Sequence, residues 1–128
     1  MKEFMNYETM FAQSIGLKEP WKIEKAEFDE RERAVHVYVS ASKTAKYECP
    51  VCGKMCDRYD DEEKERVWRH GDVVFFPCYV HCRRPRVKCD DGIHVVTAPW
   101  ARENSRYTLL FESYAMLLVE AMPVNQAR

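Results

Sequence analysis

Long apolar runs are missing from this 128-residue chain, and the uncharged stretch at residues 113–119 falls far short of the roughly 20 residues a bilayer-spanning helix needs. The first residues include Lys2 and Glu3 and lead into no apolar segment of signal-peptide length, which predicts a cytoplasmic protein with no membrane anchor. An excess of charge of either sign is also lacking. The chain has 20 Lys+Arg against 21 Asp+Glu, which excludes the strongly basic composition of a bulk nucleic-acid binder. Phosphate loops, nucleophile elbows and zinc-hydrolase motifs are absent, so the enzyme classes have little support. No internal repeat is apparent. What remains, 46% apolar and 32% charged residues, is the composition of one small globular domain whose modest core would benefit from a metal or a partner chain.

Local patterns predict an α+β fold of small antiparallel β-hairpins around a zinc-ribbon-like knuckle, with a short N-terminal helix and a C-terminal helix. Met10, Phe11 and Ile15 recur at helical spacing over residues 8–15, and Gly16 stands where such a helix would stop. Alternation from Trp21 onward and again through Val35, Val37 and Val39 reads as a hairpin around the charged run 29–33. Residues 73–76 and 79–88 have the β-branched and aromatic content of a second hairpin, with Pro77 at a bend or edge. A helix over 108–122, capped by Ser105 or Thr108 and stopped by Pro123, is apolar around nearly its whole circumference and therefore expects neighbours. The chain is thus expected to divide into residues 1–46 (helix and hairpin), 47–98 (zinc-binding β-rich region) and 99–128 (linker and C-terminal helix).

Charge is balanced only on average. Residues 57–65 hold six acids and two bases, the composition of a solvated loop, whereas residues 66–88 hold six bases and one acid.

Six cysteines in a reducing compartment point to metal or redox chemistry. Cys49-Pro50-Val51-Cys52-Gly53 has the spacing of a metal knuckle, in which two thiolates enter one turn and Gly53 supplies backbone freedom. Cys89, ending a predicted strand before Asp90-Asp91-Gly92, is the best third ligand of a structural zinc ion. The fourth is open among His94, Asp91, Cys56, Cys78, His81 and Cys82. The competing readings are a Cys49/Cys52 redox pair, disfavoured because no helix follows it, and Cys56, Cys78 and Cys82 as small buried hydrophobes. His36 and His70 read as ordinary surface or hydrogen-bonded side chains.

The order of these signals resembles the N-terminal region of bacterial insertion-sequence transposases of the ISL-three family. The resemblance is carried by Leu17-Lys18-Glu19-Pro20-Trp21, Tyr47-Glu48-Cys49-Pro50-Val51-Cys52-Gly53, Val67-Trp68-Arg69-His70-Gly71-Asp72, Arg84-Pro85-Arg86-Val87-Lys88-Cys89, and Pro99-Trp100-Ala101-Arg102 leading to Tyr107-Thr108-Leu109-Leu110-Phe111-Glu112. It implies a zinc-finger-like domain before a helix-turn-helix, recognition of the terminal inverted repeats of the element, and zinc ligands at Cys49, Cys52 and Cys89. The family's His or Cys just before the following glycine is here Asp91, which leaves His94 as a substitute ligand, or the site weakened or empty. The resemblance further implies a truncated transposase without its catalytic domain, unable to cut or join DNA itself.

Within that frame, strand alternation places Arg84, Arg86 and Lys88 on one face and Pro85, Val87 and Cys89 on the other. The basic face, extended by Arg69 and Arg83, would meet successive phosphates of double-stranded DNA. In the alternative reading the same arginines pair with residues 57–65 and merely solubilise a sheet. Trp68, Tyr79 and Trp100 read as core or hinge packing rather than base-stacking platforms. A different function class is a protein interaction module, a homodimer formed through the C-terminal helix.

Overall fold

The computed structural model describes Ala12 and residues 15–73 and 75–121, the side chains of 118–120 excepted. Strands β1 (Trp21–Asp29) and β2 (Ala34–Ala41) form the antiparallel hairpin that the valine alternation predicts. Its turn is closed by Asp29, whose Oδ1 accepts from the amides of Arg31 at 2.9 Å and Glu32 at 3.0 Å. β5 (Arg66–Val73) and β6 (Phe76–Cys82) make a second hairpin, and β6 docks parallel to β2, giving a four-stranded sheet in the order β1-β2-β6-β5.

The other sheet is antiparallel throughout. It joins β3 (Lys46–Glu48), β4 (Met55–Asp61), β7 (Pro85–Cys89) and β8 (Gly92–Val95) in that order. The β5–β6 hairpin is therefore inserted between the two halves of this sheet. A helix, α1 (Leu109–Ala121), follows.

This architecture corrects the expected α+β class: the fold is mostly β, and α1 is its single long helix among the described residues. The expected N-terminal helix over 8–15 lies almost wholly outside the described residues. The second hairpin also differs from its expected form. It pairs residues 66–73 with 76–82, while residues 85–89 belong to the other sheet. Pro77 is accommodated because it sits opposite the irregularity between His70 and Val73, where the regular ladder is interrupted. Nor is the acidic run a loop. Asp57, Asp60 and Asp61 lie within β4, and Asp60 stands directly opposite Arg86 of β7, so cross-strand charge pairing overrides the low strand propensity of aspartate.

One face of the first sheet supplies the core. Val37 and Val80 are fully buried, and Trp68 and Trp100 are each only 1% exposed. Trp100 lies edge-on to both Trp21 and Trp68 with ring centres 5.2 Å apart, and Trp21 in turn meets Tyr47 of β3 at 6.0 Å. This aromatic cluster joins the first sheet, the second sheet and the linker before α1, so Trp68 and Trp100 are core residues. Tyr79 instead lies half-buried on the opposite face, against His36.

The linker is stitched to the edge of β5. Arg69 N donates to Arg106 O at 2.7 Å and Thr108 N to Arg69 O at 2.9 Å. Thr108 Oγ1 accepts the Phe111 amide at 3.2 Å as the N-cap of α1, and the same hydroxyl meets His70 Nδ1 at 2.8 Å.

Burial, aided by the Arg69 charge, lowers the pKa of His70 to about 4. The folded chain holds this imidazole neutral, whereas the unfolded chain protonates it near its ordinary value of about 6.5. Its contribution is complete above that value and is lost as pH falls toward 4, a change on the order of 3 kcal/mol. Urea midpoints at pH 7 and pH 4.5 should therefore differ more for the wild type than for His70→Gln; an equal difference would refute the assignment.

Candidate metal centre and its basic surroundings

The knuckle begins where β3 ends. Gly53 N donates to Cys49 O and Cys49 N to Lys54 O, both at 2.9 Å, and Gly53 takes a left-handed φ of 76° that a side chain would strain. Across the sheet, β7 ends at Cys89 and the turn through Asp90 and Asp91 enters β8 at Gly92. Because β4 pairs with β7, the two turns face each other. The sulfurs of Cys49, Cys52 and Cys89 all lie within 4.8 Å of one another, and Cys49 and Cys89 are 3.7 Å apart. Two thiolates at about 2.3 Å from a tetrahedral zinc ion stand about 3.8 Å apart, so this spacing suits the metal.

The electrostatics of the thiols explain why a cation belongs there. The Cys52 amide, followed by that of Val51, holds the Cys49 pKa below the ordinary thiol range against the opposing effect of burial. At Cys89 the Asp91 amide pulls downward, but burial and the neighbouring Cys49 and Cys52 sulfurs outweigh it, pushing the thiol up to about 11. One thiolate is easily accommodated; further ones require a positive ion. All six cysteines are free thiols, and the paired cysteines open a hairpin rather than a helix, which removes the setting of a redox pair.

The remaining candidates separate clearly. Cys78 and Cys82 are buried on the inner face of the first sheet, their thiols pushed up to about 12 by burial, and lie outside the sulfur cluster. His81 is engaged by His36 and Glu65. Cys56, opposite Tyr47 in the sheet, donates to Lys54 O at 3.5 Å, and burial followed by the nearby Cys52 raises its pKa. His94 stands opposite Val87, on the sheet face that also carries Cys89. Its Nε2 is buried without a hydrogen-bond partner among the described residues, 3.7 Å from Asp91 Oδ2, although it is not within the compact sulfur cluster itself. The three clustered thiols of Cys49, Cys52 and Cys89 form a donor set that suits structural zinc.

Along the second sheet the acidic strand β4 meets the basic strand β7. Arg84 donates to Glu62 through Nε at 2.7 Å and Nη2 at 3.2 Å, and its own amide reaches the same carboxylate at 2.9 Å. Arg86 Nε donates to Asp60 at 2.6 Å. Arg69 pairs with Asp72 at 2.6 Å and lies over the rings of Tyr79 and Phe111. Arg83 and Lys88 are exposed and have no carboxylate partner among the described residues; Lys88 lies 5.8 Å over Tyr59. The alternation expected along β7 is present, with Pro85 and Val87 buried and Arg86 and Lys88 on the other face.

Two arginines escaped the sequence reading. Arg66 and Arg102 join Arg84 in lining a cleft of about 110 Å³. Arg66 and Arg84 lie over the Trp68 ring at 5.0 and 5.6 Å, and Arg66 donates to Ser105 O at 2.7 Å. No sequence signal announces this cleft, because its walls come from β5, the residue before β7, the end of β8 and the linker.

A knuckle and a turn that face each other from two hairpins, with three cysteines between them, define a zinc ribbon, and the helix beyond it places a second module alongside. Residues 46–92 match the zinc-finger of transposase IS204/IS1001/IS1096/IS1165, and residues 96–128 match the helix-turn-helix domain of transposase family ISL3. The two segments together span more than half the chain, which belongs to the ISL3 transposase family as its DNA-binding N-terminal region. No curated protein and no solved structure matches the chain.

The match assigns α1 to a helix-turn-helix, so its exposed Leu109, Leu110, Tyr114, Met116 and Leu117 lend no support to the expected homodimer through this helix. Neither matched segment is a catalytic domain. Among the described residues no helix is long and apolar enough to cross a membrane.

Cobalt substituted into the ribbon should give a thiolate charge-transfer band. Cys49→Ser should abolish it and lower the melting temperature to that of the chelator-treated protein, whereas Cys78→Ala and Cys82→Ala should retain it. Loss of the band in the latter two alone would overturn the ligand assignment.

Proposed function

We propose that this chain binds the terminal inverted repeats of an insertion sequence as double-stranded DNA, and that a zinc ion held by Cys49, Cys52, Cys89 and His94 serves it structurally. The observation that carries this reading is the packing of Trp100 between Trp21 and Trp68, which ties the ribbon to the segment entering the helix-turn-helix. Both modules then present to one duplex in a set relation. His94 is favoured as the fourth ligand by its buried Nε2, which has no hydrogen-bond partner among the described residues and lies on the Cys89 face of the sheet. In this reading the chain supplies DNA binding to a cytoplasmic transposase, whose strand cleavage and joining fall to a catalytic domain.

The ion pairs divide the labour among the basic residues. Arg83 and Lys88, exposed and without a carboxylate partner among the described residues, contact phosphates directly. Arg84 and Arg86 spend their charge on Glu62 and Asp60, and Arg69 on Asp72, so these three shape the surface and reach DNA only by exchanging partners. The Arg84–Glu62 pair, bidentate and partly buried, leaves a costly unpaired charge when one member is removed.

Binding to a duplex bearing the element end, measured by fluorescence anisotropy over a range of salt, should weaken in Arg83→Ala/Lys88→Ala with melting unchanged. The slope of log affinity against log salt should flatten by about 2, one unit per lost phosphate contact. Arg84→Ala/Arg86→Ala should instead lower the melting temperature. Equal affinity for a scrambled duplex would overturn recognition of the inverted repeats, and no affinity at low salt would overturn DNA binding altogether.

A further inference from the structure

The outer face of the first sheet carries a four-residue relay that neither the ribbon nor the helix-turn-helix uses. His36 of β2 and His81 of β6 meet through Nδ1 and Nε2 at 2.7 Å. The outer nitrogen of each ring is held by a carboxylate: His36 Nε2 lies 2.9 Å from Glu32 Oε2, and His81 Nδ1 lies 2.7 Å from Glu65 Oε1. Both rings are largely shielded, with side chains 15% and 12% exposed. Tyr38 stacks on His81 at 4.6 Å and Tyr79 on His36 at 5.6 Å, the checkerboard that the parallel register of β2 and β6 imposes.

Counting protons exposes what this arrangement demands. A carboxylate only accepts, so each outer nitrogen carries a hydrogen. Two neutral imidazoles have no hydrogen left, and two lone pairs would then oppose each other at 2.7 Å. The four groups need either one further proton, on an imidazole or a carboxyl, or a metal ion between the inner nitrogens.

The surroundings favour positive charge. Glu27 of β1 stands opposite His36, Glu32 and Glu65 flank the pair, and Asp29 lies within 4.8 Å of the Glu32 and His36 donors. The cations nearby are Lys25, over Tyr38, and Arg69, over Tyr79, the latter already paired with Asp72. Imidazoles whose second nitrogen is fixed by a carboxylate are the usual arrangement of metal-ligating histidines, because the carboxylate sets the tautomer and raises the basicity of the free nitrogen.

We propose that His36 Nδ1 and His81 Nε2 form a second, non-ribbon site for a divalent transition metal of the zinc class, with water or a neighbouring carboxylate oxygen completing the coordination. Tetrahedral coordination at about 2.0 Å places two nitrogens about 3.3 Å apart. The rings therefore open by about 0.6 Å on exchanging a proton for zinc, within reach of small ring rotations. Such an ion cross-links β2 to β6, the parallel seam that joins the two hairpins of the first sheet. The site is separate from the cysteine cluster and does not depend on how the chain engages DNA.

Zinc is the probe. The full chain with its ribbon already loaded should take up one further equivalent, and that equivalent should be lost in His36→Asn/His81→Asn. Retention of the cobalt–thiolate band in the histidine variant shows that it remains folded. Independently of any variant, the ring nitrogen resonances of His36 Nδ1 and His81 Nε2 in the wild-type chain should shift when the second equivalent is added. Equal zinc uptake by the wild type and the folded histidine variant would overturn the proposal. So would unchanged ring nitrogens at excess zinc, in which case a shared proton alone fills the gap.

Discussion

Three sulfurs from turns about forty residues apart converge within 4.8 Å of one another, and their mutual repulsion makes a bound cation the condition for all three to be ionised. The backbone prepares the place before any metal arrives: the knuckle amides aim at Cys49, and the turn amide of Asp91 aims at Cys89. Donors ordered in this way reduce what a binding ion must organise, and the binding energy then adds to a fold whose second sheet consists of strands three to seven residues long.

Short strands alone would not hold the ribbon against its neighbour. Trp100 supplies that connection by lying edge-on between Trp21 and Trp68, with Tyr47 of the ribbon against Trp21. The same linker pairs with the edge of β5 and supplies Thr108 as both helix cap and partner of His70. The orientation of the helix is thus coupled to the core through a buried polar contact as well as through aromatic packing.

The charge pattern acquires its meaning from this topology. An acidic strand beside a basic one neutralises Arg84 and Arg86 and leaves Arg83 and Lys88 exposed, Lys88 next to Cys89 of the metal centre. A nearly neutral chain can in this way offer a locally basic surface, since the balance of its total charge says nothing about which cations are already paired. On the outer face of the first sheet, two histidines and two carboxylates make a separate polar seam.

Much of the ribbon was legible in the sequence. Cys49 and Cys52 announce a knuckle by spacing alone, Cys89 ends a strand before a glycine turn, and the valines of β2 mark a half-buried strand, because each of these signals depends only on residues a few positions apart. The N-terminal pattern, by contrast, suggested an α+β class that the described residues do not support. The boundaries of the second hairpin, the recruitment of the acidic run into β4, the pairing of Arg84 with Glu62, the burial of His94 Nε2 and the meeting of His36 with His81 all depend on which distant strands become neighbours. Only the tertiary structure decided them: inserting one hairpin between the halves of another sheet brings together side chains that no local periodicity relates.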